Sequence, residues 1–278
     1  GAKGDTGAQG AKGDTGPMPS YAHQLSVGPN VSDGTARNLV APDYSSISAA
    51  LDSIPVLYVN GACTAHFLVK VLPGVYNERI HLKSCVDIEG SGELTTKITA
   101  VGGSSSLGTD ISTVYAGSGV TQAELRDLTV ENVNASGTPI NAAGIYNDGS
   151  SGVRFDRLAV NVSGSSSAAG FMNMSASLLL LSRIAITVSN SSGFAYGVYN
   201  YSSSATISDC TIAVSSSGIG SNYGFYMDSS SPVITNTTVN IVGGGSSASY
   251  GLGSVFQSSP VLTGLIANVS GGAGTLGI

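Results

Sequence analysis

Five tetrapeptides set the strongest constraint on this chain. GIYN from Gly144, GFMN from Gly170, GVYN from Gly197, GFYM from Gly224 and GLGS from Gly251 begin 26, 27, 27 and 27 residues apart. Each is followed by a Ser-rich turn and an apolar alternation: VRFDRLAV (153–160), LLLSRIAI (179–186), ISDCTIAV (207–214), ITNTTVNI (234–241) and VLTGLIAN (261–268). AELRDLTV (123–130) is an earlier, less regular copy. Helical repeats of this length need apolar residues at 3.6 spacing and good helix formers between them, whereas the residues here are Ser, Gly, Asn and Thr. β-branched residues at period two, broken every few positions by turn formers, read as short strands. A unit of about 27 residues cannot bury its inward side chains until the next one stacks on it. The expected fold is therefore all-β, a right-handed parallel β-helix with coils of about 27 residues.

The repeats name the inward ladders. One column is expected to hold Leu128, Leu158, Ile184, Ile212, Val239 and Ile266, and another Val153, Leu179, Ile207, Ile234 and Val261. A third holds Ile145, Phe171, Val198, Phe225 and Leu252, or Tyr146, Met172, Tyr199 and Tyr226 if the strand faces the other way. Asn147, Asn173 and Asn200 either stack as an amide ladder or occupy turns, and the sequence leaves both readings open.

Upstream the texture differs. Residues 1–18 read GAK-GDT-GAQ-GAK-GDT-GPM, with Gly1, Gly4, Gly7, Gly10, Gly13 and Gly16 in strict Gly-X-Y period. Three polyproline II chains leave no room for a side chain at their shared axis, so the period predicts a collagen-like trimer, with a flexible Gly-rich linker as the alternative. Lys3 and Lys12 precede Asp5 and Asp14 at a spacing suited to interchain ion pairs. Residues 19–43 read as an irregular connector, and 44–278 as the β-helix. Within SSISAALDSI, Ile47, Ala50, Leu51 and Ile54 share a face at i, i+3, i+4 and i+7, the mark of a short amphipathic helix capping the first coil.

Charge narrows the function classes. Only 10% of residues are charged, against the roughly 25% of ordinary soluble domains, so hydroxyls and amides must supply solubility. A net charge of -6 and the lack of any basic cluster argue against nucleic acid. No apolar run approaches the roughly 20 residues of a membrane span. No leader-like segment precedes Gly1, which reads as a processed or truncated chain. His23, His66 and His81 are scattered, with no carboxylate or Cys at metal spacing, so neither metal nor cofactor is expected. Cys63 and Cys85 lie 22 residues apart, about one coil, within reach of a disulfide that cysteine counting alone does not decide. Cys210 aligns with Ser182 and Thr237 as a small buried side chain. Among eight N-x-S/T sequons, Asn134 and Asn190 are the better turn candidates for glycosylation.

At FLVKVLPGVYNERIHLKSCVDIEGSGELTTKITA (67–100), followed by AELRDLTVEN (123–132), the chain resembles pectin methylesterases and related pectin-lyase-like β-helix families. The later GVYN-plus-SSS coils resemble repeats of bacterial secreted or surface proteins, in which such a helix accompanies a collagen-like tract. The esterase resemblance implies two catalytic Asp, Gln donors at the oxyanion and an orienting Arg. At the position implied for the first Gln stands Asn141, and NVSGSSSAAG, where a Gln-Asp pair is implied, holds no carboxylate. No enzyme activity is expected on that ground. The pectate-lyase alternative needs a carboxylate cluster and a basic residue on adjacent coils. Asp127, Glu131, Asp156, Arg126, Arg154 and Arg157 form the local cluster of that kind, read as surface ion pairs, a ligand contact or a catalytic group.

These readings converge on a non-enzymatic extracellular structural protein, trimeric through its collagen-like tract, with head-to-tail addition into a surface fibre as a further expectation. The alternative is a trimeric glycan-binding module gripping a surface glycan through Tyr146, Tyr196, Tyr199, Tyr201, Tyr223, Tyr226 and Tyr250. A polysaccharide lyase or esterase comes third.

Overall fold

The computed structural model describes residues 21–29, 41–105, 109–133, 141–164, 166–175, 177–190, 192–216, 218–243, 247–271 and 275–276. The collagen glycines, Lys3, Asp5, Lys12, Asp14 and the Asn134 sequon lie outside the described residues. The fold is an all-β, right-handed parallel β-helix, with one short α-helix among the described residues. A 14-stranded sheet and an 8-stranded sheet run the length of the solenoid, and an antiparallel hairpin pairs Tyr58–Val59 with Ala62–Cys63.

The 14-stranded sheet is bent along a column of left-handed residues. Asp127, Arg157, Arg183, Asp209, Asn236 and Gly264 hold φ between 45° and 65° on successive coils. For an ordinary L-residue that conformation costs about 1–2 kcal/mol, and only Gly, Asn and Asp adopt it readily. Arg157 and Arg183 are the poor fits, and both spend their guanidinium groups on a carboxylate of the preceding coil.

Of the two facings the repeat leaves open, the Ile145–Phe171–Val198–Phe225–Leu252 column is the inward one, with its first four residues fully buried. The other two columns are corrected. Phe155, Leu181 and Leu262, in place of Val153, Leu179 and Val261, align with Ile207 and Ile234, while Val261 and Ile266 are exposed beside Val233 and Thr238. Leu128, Leu158 and Ile184 do stack, but Ile212 and Val239 continue from Val130, Val160 and Ile186. Pairing of Ala185 with Thr211 and of Thr211 with Thr238 brings Cys210 and Thr237 into line with Ile184. Cys210 therefore follows Ile184, while Ser182 pairs with Ser208. The expected columns joined one Ile to the next, whereas the coil accepts a small Cys or Thr there. Each small side chain donates to a backbone carbonyl two residues back, Cys210 Sγ to Ser208 O at 3.2 Å and Thr237 Oγ1 to Thr235 O at 2.9 Å.

The repeated glycines mark where the two sheets approach most closely. A Cβ on Gly170, Gly197 or Gly224 would meet Ile186, Ile212 or Val239 of the opposite sheet at 2.2–2.3 Å, and the next glycine's carbonyl oxygen at 2.6–2.7 Å. Gly144 meets Val160 at 2.5 Å in the same way. Asn147, Asn173 and Asn200 pair in register and are fully buried, and Asn173 Nδ2 donates to Asn200 Oδ1 at 2.8 Å. Of the two readings, the side chains stack in the core rather than sit in turns, with one amide-to-amide bond, from Asn173 to Asn200, and with Asn147 Oδ1 accepting from Ser150, so the Asn173 and Asn200 sequons are buried.

The connector is not irregular throughout. β1 (His23–Val27) pairs in parallel with Phe67–Val71 and extends the 14-stranded sheet, because Val27 can bury completely against the capping helix and first coil. α1 (Ile47–Ser53) starts at Ser46, whose Oγ accepts from Ala49 N at 3.0 Å. The Glu78 carboxylate accepts from the N–H groups of Ile47 and Ser48 at 2.8 Å. Ile47, Ala50, Leu51 and Ile54 are buried over the first coil. A disulfide joins Cys63 to Cys85 at a Cα separation of 5.8 Å, tying the hairpin to that coil. Loop closure of this size stabilises by about 3 kcal/mol.

Gly197→Ala should lower stability by about 1–3 kcal/mol through overpacking, read as a reduced urea midpoint. Ser204→Ala, on an exposed strand position, should leave the midpoint in place. Equal midpoints for the two variants would show that the sheets can part to admit a methyl group.

Candidate functional site

Two surfaces concentrate chemically capable side chains, one on each large sheet. On the outer face of the 14-stranded sheet, parallel register sets Asp87 beside Glu124 and Glu124 beside Arg154. Two residues along, it sets Glu89, Arg126, Asp156 and Ser182 side by side. Arg126 donates to Glu89 at 2.7 Å, to Glu124 at 2.5 Å and to the Tyr21 hydroxyl at 3.1 Å. Tyr21 in turn donates to Asp87 at 2.8 Å, so the segment before β1 roofs this end of the cluster. Lys70 also binds Glu89.

At the other end Asp156, 1% exposed, accepts from Ser182 and Arg183 at 2.5 Å and from Arg157. Arg157 makes two further bonds to Asp127, at 2.5 and 2.7 Å. The structure thus gathers Asp127, Asp156, Arg126, Arg154 and Arg157 as the sequence predicts. It takes Glu131 away to Lys97 at 3.1 Å and Thr99 at 3.2 Å. Missed by sequence reasoning were Tyr21, Asp87, Glu89, Glu124 and Arg183. A signal exists in the alternations DIE (87–89) and ELR (124–126), but their coils are 37 residues apart and fall outside a 27-residue period.

Burial acts differently along the cluster. It raises Asp87 above the usual carboxylate range, outweighing the hydrogen bond from Tyr21 and the charge of Arg126. Burial also raises Glu124, with the Asp87 charge adding to the effect. Asp156 is pulled the other way: burial is outweighed by Ser182, Arg183 and Arg157, and the group stays ionised to lower pH. Glu89 is likewise lowered against burial by Lys70 and Arg126. The cluster therefore holds two neighbouring acids whose neutral form burial favours and two that their hydroxyl and cationic partners keep ionised.

The second surface lies on the 8-stranded sheet. Because Ile145, Phe171, Val198 and Phe225 point inward, their neighbours point out. One outward row runs Tyr115, Tyr146, Met172, Tyr199 and Tyr226, and the next Ala143, Ala169, Tyr196, Tyr223 and Tyr250. Tyr196–Tyr223–Tyr250 stack at centroid separations of 5.4 and 5.0 Å, and Tyr199–Tyr226 at 5.2 Å. The rows meet edge to face, with Tyr223 and Tyr226 at 5.1 Å and 76°. All five rings keep part of their surface in solvent, while Tyr146 is 5% exposed and Tyr201 40%. Desolvation by burial, with smaller contributions from neighbouring groups, raises Tyr196, Tyr199, Tyr223 and Tyr226, and takes Tyr146 up to about 12, so these five are uncharged phenols at neutral pH.

Asn141 starts its strand beside Ser167, so the coils where the resemblance implies Gln and Asp carry Asn and Ser. The Asn190 sequon ends the strand Ser177–Asn190. Among the described residues no three His, Cys, Asp or Glu are placed to hold a metal ion, and no helix is long and apolar enough to cross a membrane.

Asp156→Asn should destabilise the protein by about 1–3 kcal/mol, because its guanidinium and hydroxyl donors lose their charged acceptor. Stability should also depend on pH in two directions. The raised groups Asp87 and Glu124 bind protons more tightly when folded, so stability grows as pH falls from neutral through their folded pKa values. The lowered groups Asp156 and Glu89 contribute above the ordinary carboxylate range, and that contribution is lost as pH falls through their folded values. Thermal unfolding across pH should show a mildly acidic maximum, which Asp87→Asn with Glu124→Gln would flatten.

No family model matches the chain, and no curated protein matches it in sequence. Solved structures do resemble it. Pectin methylesterase from carrot superposes with a TM-score of 0.56 at 15% identity, covering 94% of this chain and 89% of that one. Pectin methylesterase from Aspergillus niger gives 0.56 at 15% identity, covering 91% and 88%. The Yersinia enterocolitica enzyme gives 0.50 at 14%, covering 84% and 94%. At such identity the likeness shows the fold. It nevertheless corrects the expectation that this chain is no enzyme. That expectation rested on a Gln/Asp/Arg set missing from the linear sequence, and the chain adopts a fold whose solved examples here are esterases.

Proposed function

We propose that this is an extracellular β-helix protein that binds polysaccharide along the tyrosine face of its 8-stranded sheet. The observation that carries the reading is the double row of Tyr196, Tyr223, Tyr250, Tyr199 and Tyr226, outward-facing and partly solvated. Tyrosine joins a rigid apolar ring to a polar tip, the combination that meets both the C–H faces and the hydroxyls of a sugar. The rings are held in mutual contact, so little side-chain freedom remains to be lost on binding. Gathering three rods through the collagen-like tract would multiply weak contacts into avidity. A rigid rod also suits the fibre subunit expected from the sequence, but the aromatic face is what gives this rod a binding chemistry.

Retention of the protein by immobilised plant and microbial polysaccharides tests the reading. The double variant Tyr199→Ala, Tyr226→Ala should lose about tenfold or more in affinity while keeping its β-sheet circular dichroism. Absence of retention by any polysaccharide would sink it.

A second reading, turnover of a polysaccharide ester, is favoured by the neighbouring raised acids Asp87 and Glu124 on an esterase-like fold. It expects alcohol or acid release from an esterified polysaccharide, abolished in Asp87→Asn and in Glu124→Gln. Release undiminished in both variants, or no release by the unmodified protein, would remove it.

A further inference from the structure

Charge and spacing on the tyrosine face narrow its ligand further. Resting on the binding role proposed above, we infer that the polysaccharide is an uncharged, extended chain lying parallel to the solenoid axis, about one sugar residue per coil. Three observations converge. The first is the absence of cations: Arg183 is the last Lys or Arg in the chain, so no basic residue exists anywhere in 184–278, which contains all five rings. The Arg side chains that lie on the other sheet are committed to carboxylates: Arg126 to Glu89 and Glu124, Arg154 to Glu124 and Asp156, Arg157 to Asp127 and Asp156, Arg183 to Asp156.

The second observation is the charge that is present. Asp148 and Asp228 end their strands on the 8-stranded sheet, at one register level beside the rows. A polyanion laid on the rings would find no Lys or Arg on the coils that carry them and would run past Asp228, with Asp148 two coils before Tyr199 at the same register level, on a molecule that carries -6 overall. Anionic sugars are selected against, whereas an uncharged chain is indifferent to the acids.

The third is periodicity. Within each row the rings recur at 5.0–5.4 Å, once per coil, along the axis. That interval is comparable with the length of one pyranose unit in an extended chain, so successive sugars meet the same side chain in the same register. A chain laid across the rows would meet two rings and then the edge of the sheet. One lying along them engages Tyr196, Tyr223 and Tyr250 in sequence, or Tyr199 and Tyr226.

Affinity electrophoresis of the full chain in gels containing hydroxyethylcellulose, mixed-linkage β-glucan or polygalacturonate tests this. The expected result is retardation by an uncharged glucan about tenfold stronger than by polygalacturonate, unchanged between low and high salt because no ion pair is involved. Affinity for oligosaccharides of one neutral series should rise with length up to the number of stacked rings and then level off. Asp228→Lys should leave retardation by the glucans in place and strengthen that by polygalacturonate. Stronger retardation by polygalacturonate in the unmodified protein, or loss of binding with added salt, overturns the inference and leaves the binding role standing. Retardation by none of the three, together with none by highly methyl-esterified pectin, removes the binding role itself.

Discussion

The structure depends on one steric constraint, the close approach of the two large sheets along the glycine column. With Gly170, Gly197 and Gly224 facing Ile186, Ile212 and Val239, the facing backbone and side chains fill the space a Cβ would take. Flattening the coil there lets short strands with small side chains enclose a dry core around Phe155, Phe171 and Phe225. The same approach fixes which residues face out. With Val198 and Phe225 committed inward, Tyr199 and Tyr226 have only the outer surface left to them. A packing requirement in the interior thus assembles the aromatic face.

Charge is divided between the sheets. Early coils carry the ionisable side chains, and stacking places them in two adjoining files on the 14-stranded sheet, where carboxylates and guanidinium groups neutralise one another. Burial without a matching partner would be costly there, and burial raises Asp87 and Glu124 in spite of the Tyr21 and Arg partners they have. Later coils carry almost no charge and present hydroxyls, amides and phenols. One rod therefore offers two surfaces, an ion-paired cluster roofed by Tyr21 and an aromatic strip without charge of its own.

Much of this was legible in the sequence. The glycine period announces the solenoid, the i, i+3, i+4, i+7 pattern announces α1, and the period sets the members of the Ile145 column in register while leaving open whether they or their Tyr and Met neighbours face inward. The column through Leu128, Leu158 and Ile184 is misjoined because an apolar pattern links Ile184 to Ile212, whereas the coil seats Cys210 there and lets it bond a carbonyl. The ion-pair cluster was half seen: Arg126, Asp127, Asp156 and Arg157 lie within the regular repeats, while Asp87 and Glu89 belong to a coil 37 residues away from Glu124 and Arg126. A long insertion in one turn removes the period without changing the stacking.

By itself the sequence determined that the chain forms stacked β-coils, that its core is aliphatic and aromatic, and that its last 95 residues carry no positive charge. Those are consequences of residue type and local spacing. Only the tertiary structure decided that Tyr21 reaches Asp87 and Arg126, that Asn147, Asn173 and Asn200 are buried rather than in turns, and that five tyrosines form one surface. Each of these depends on the register between coils of unequal length, and that register is set by backbone hydrogen bonds and core packing across the whole solenoid, which no local pattern encodes.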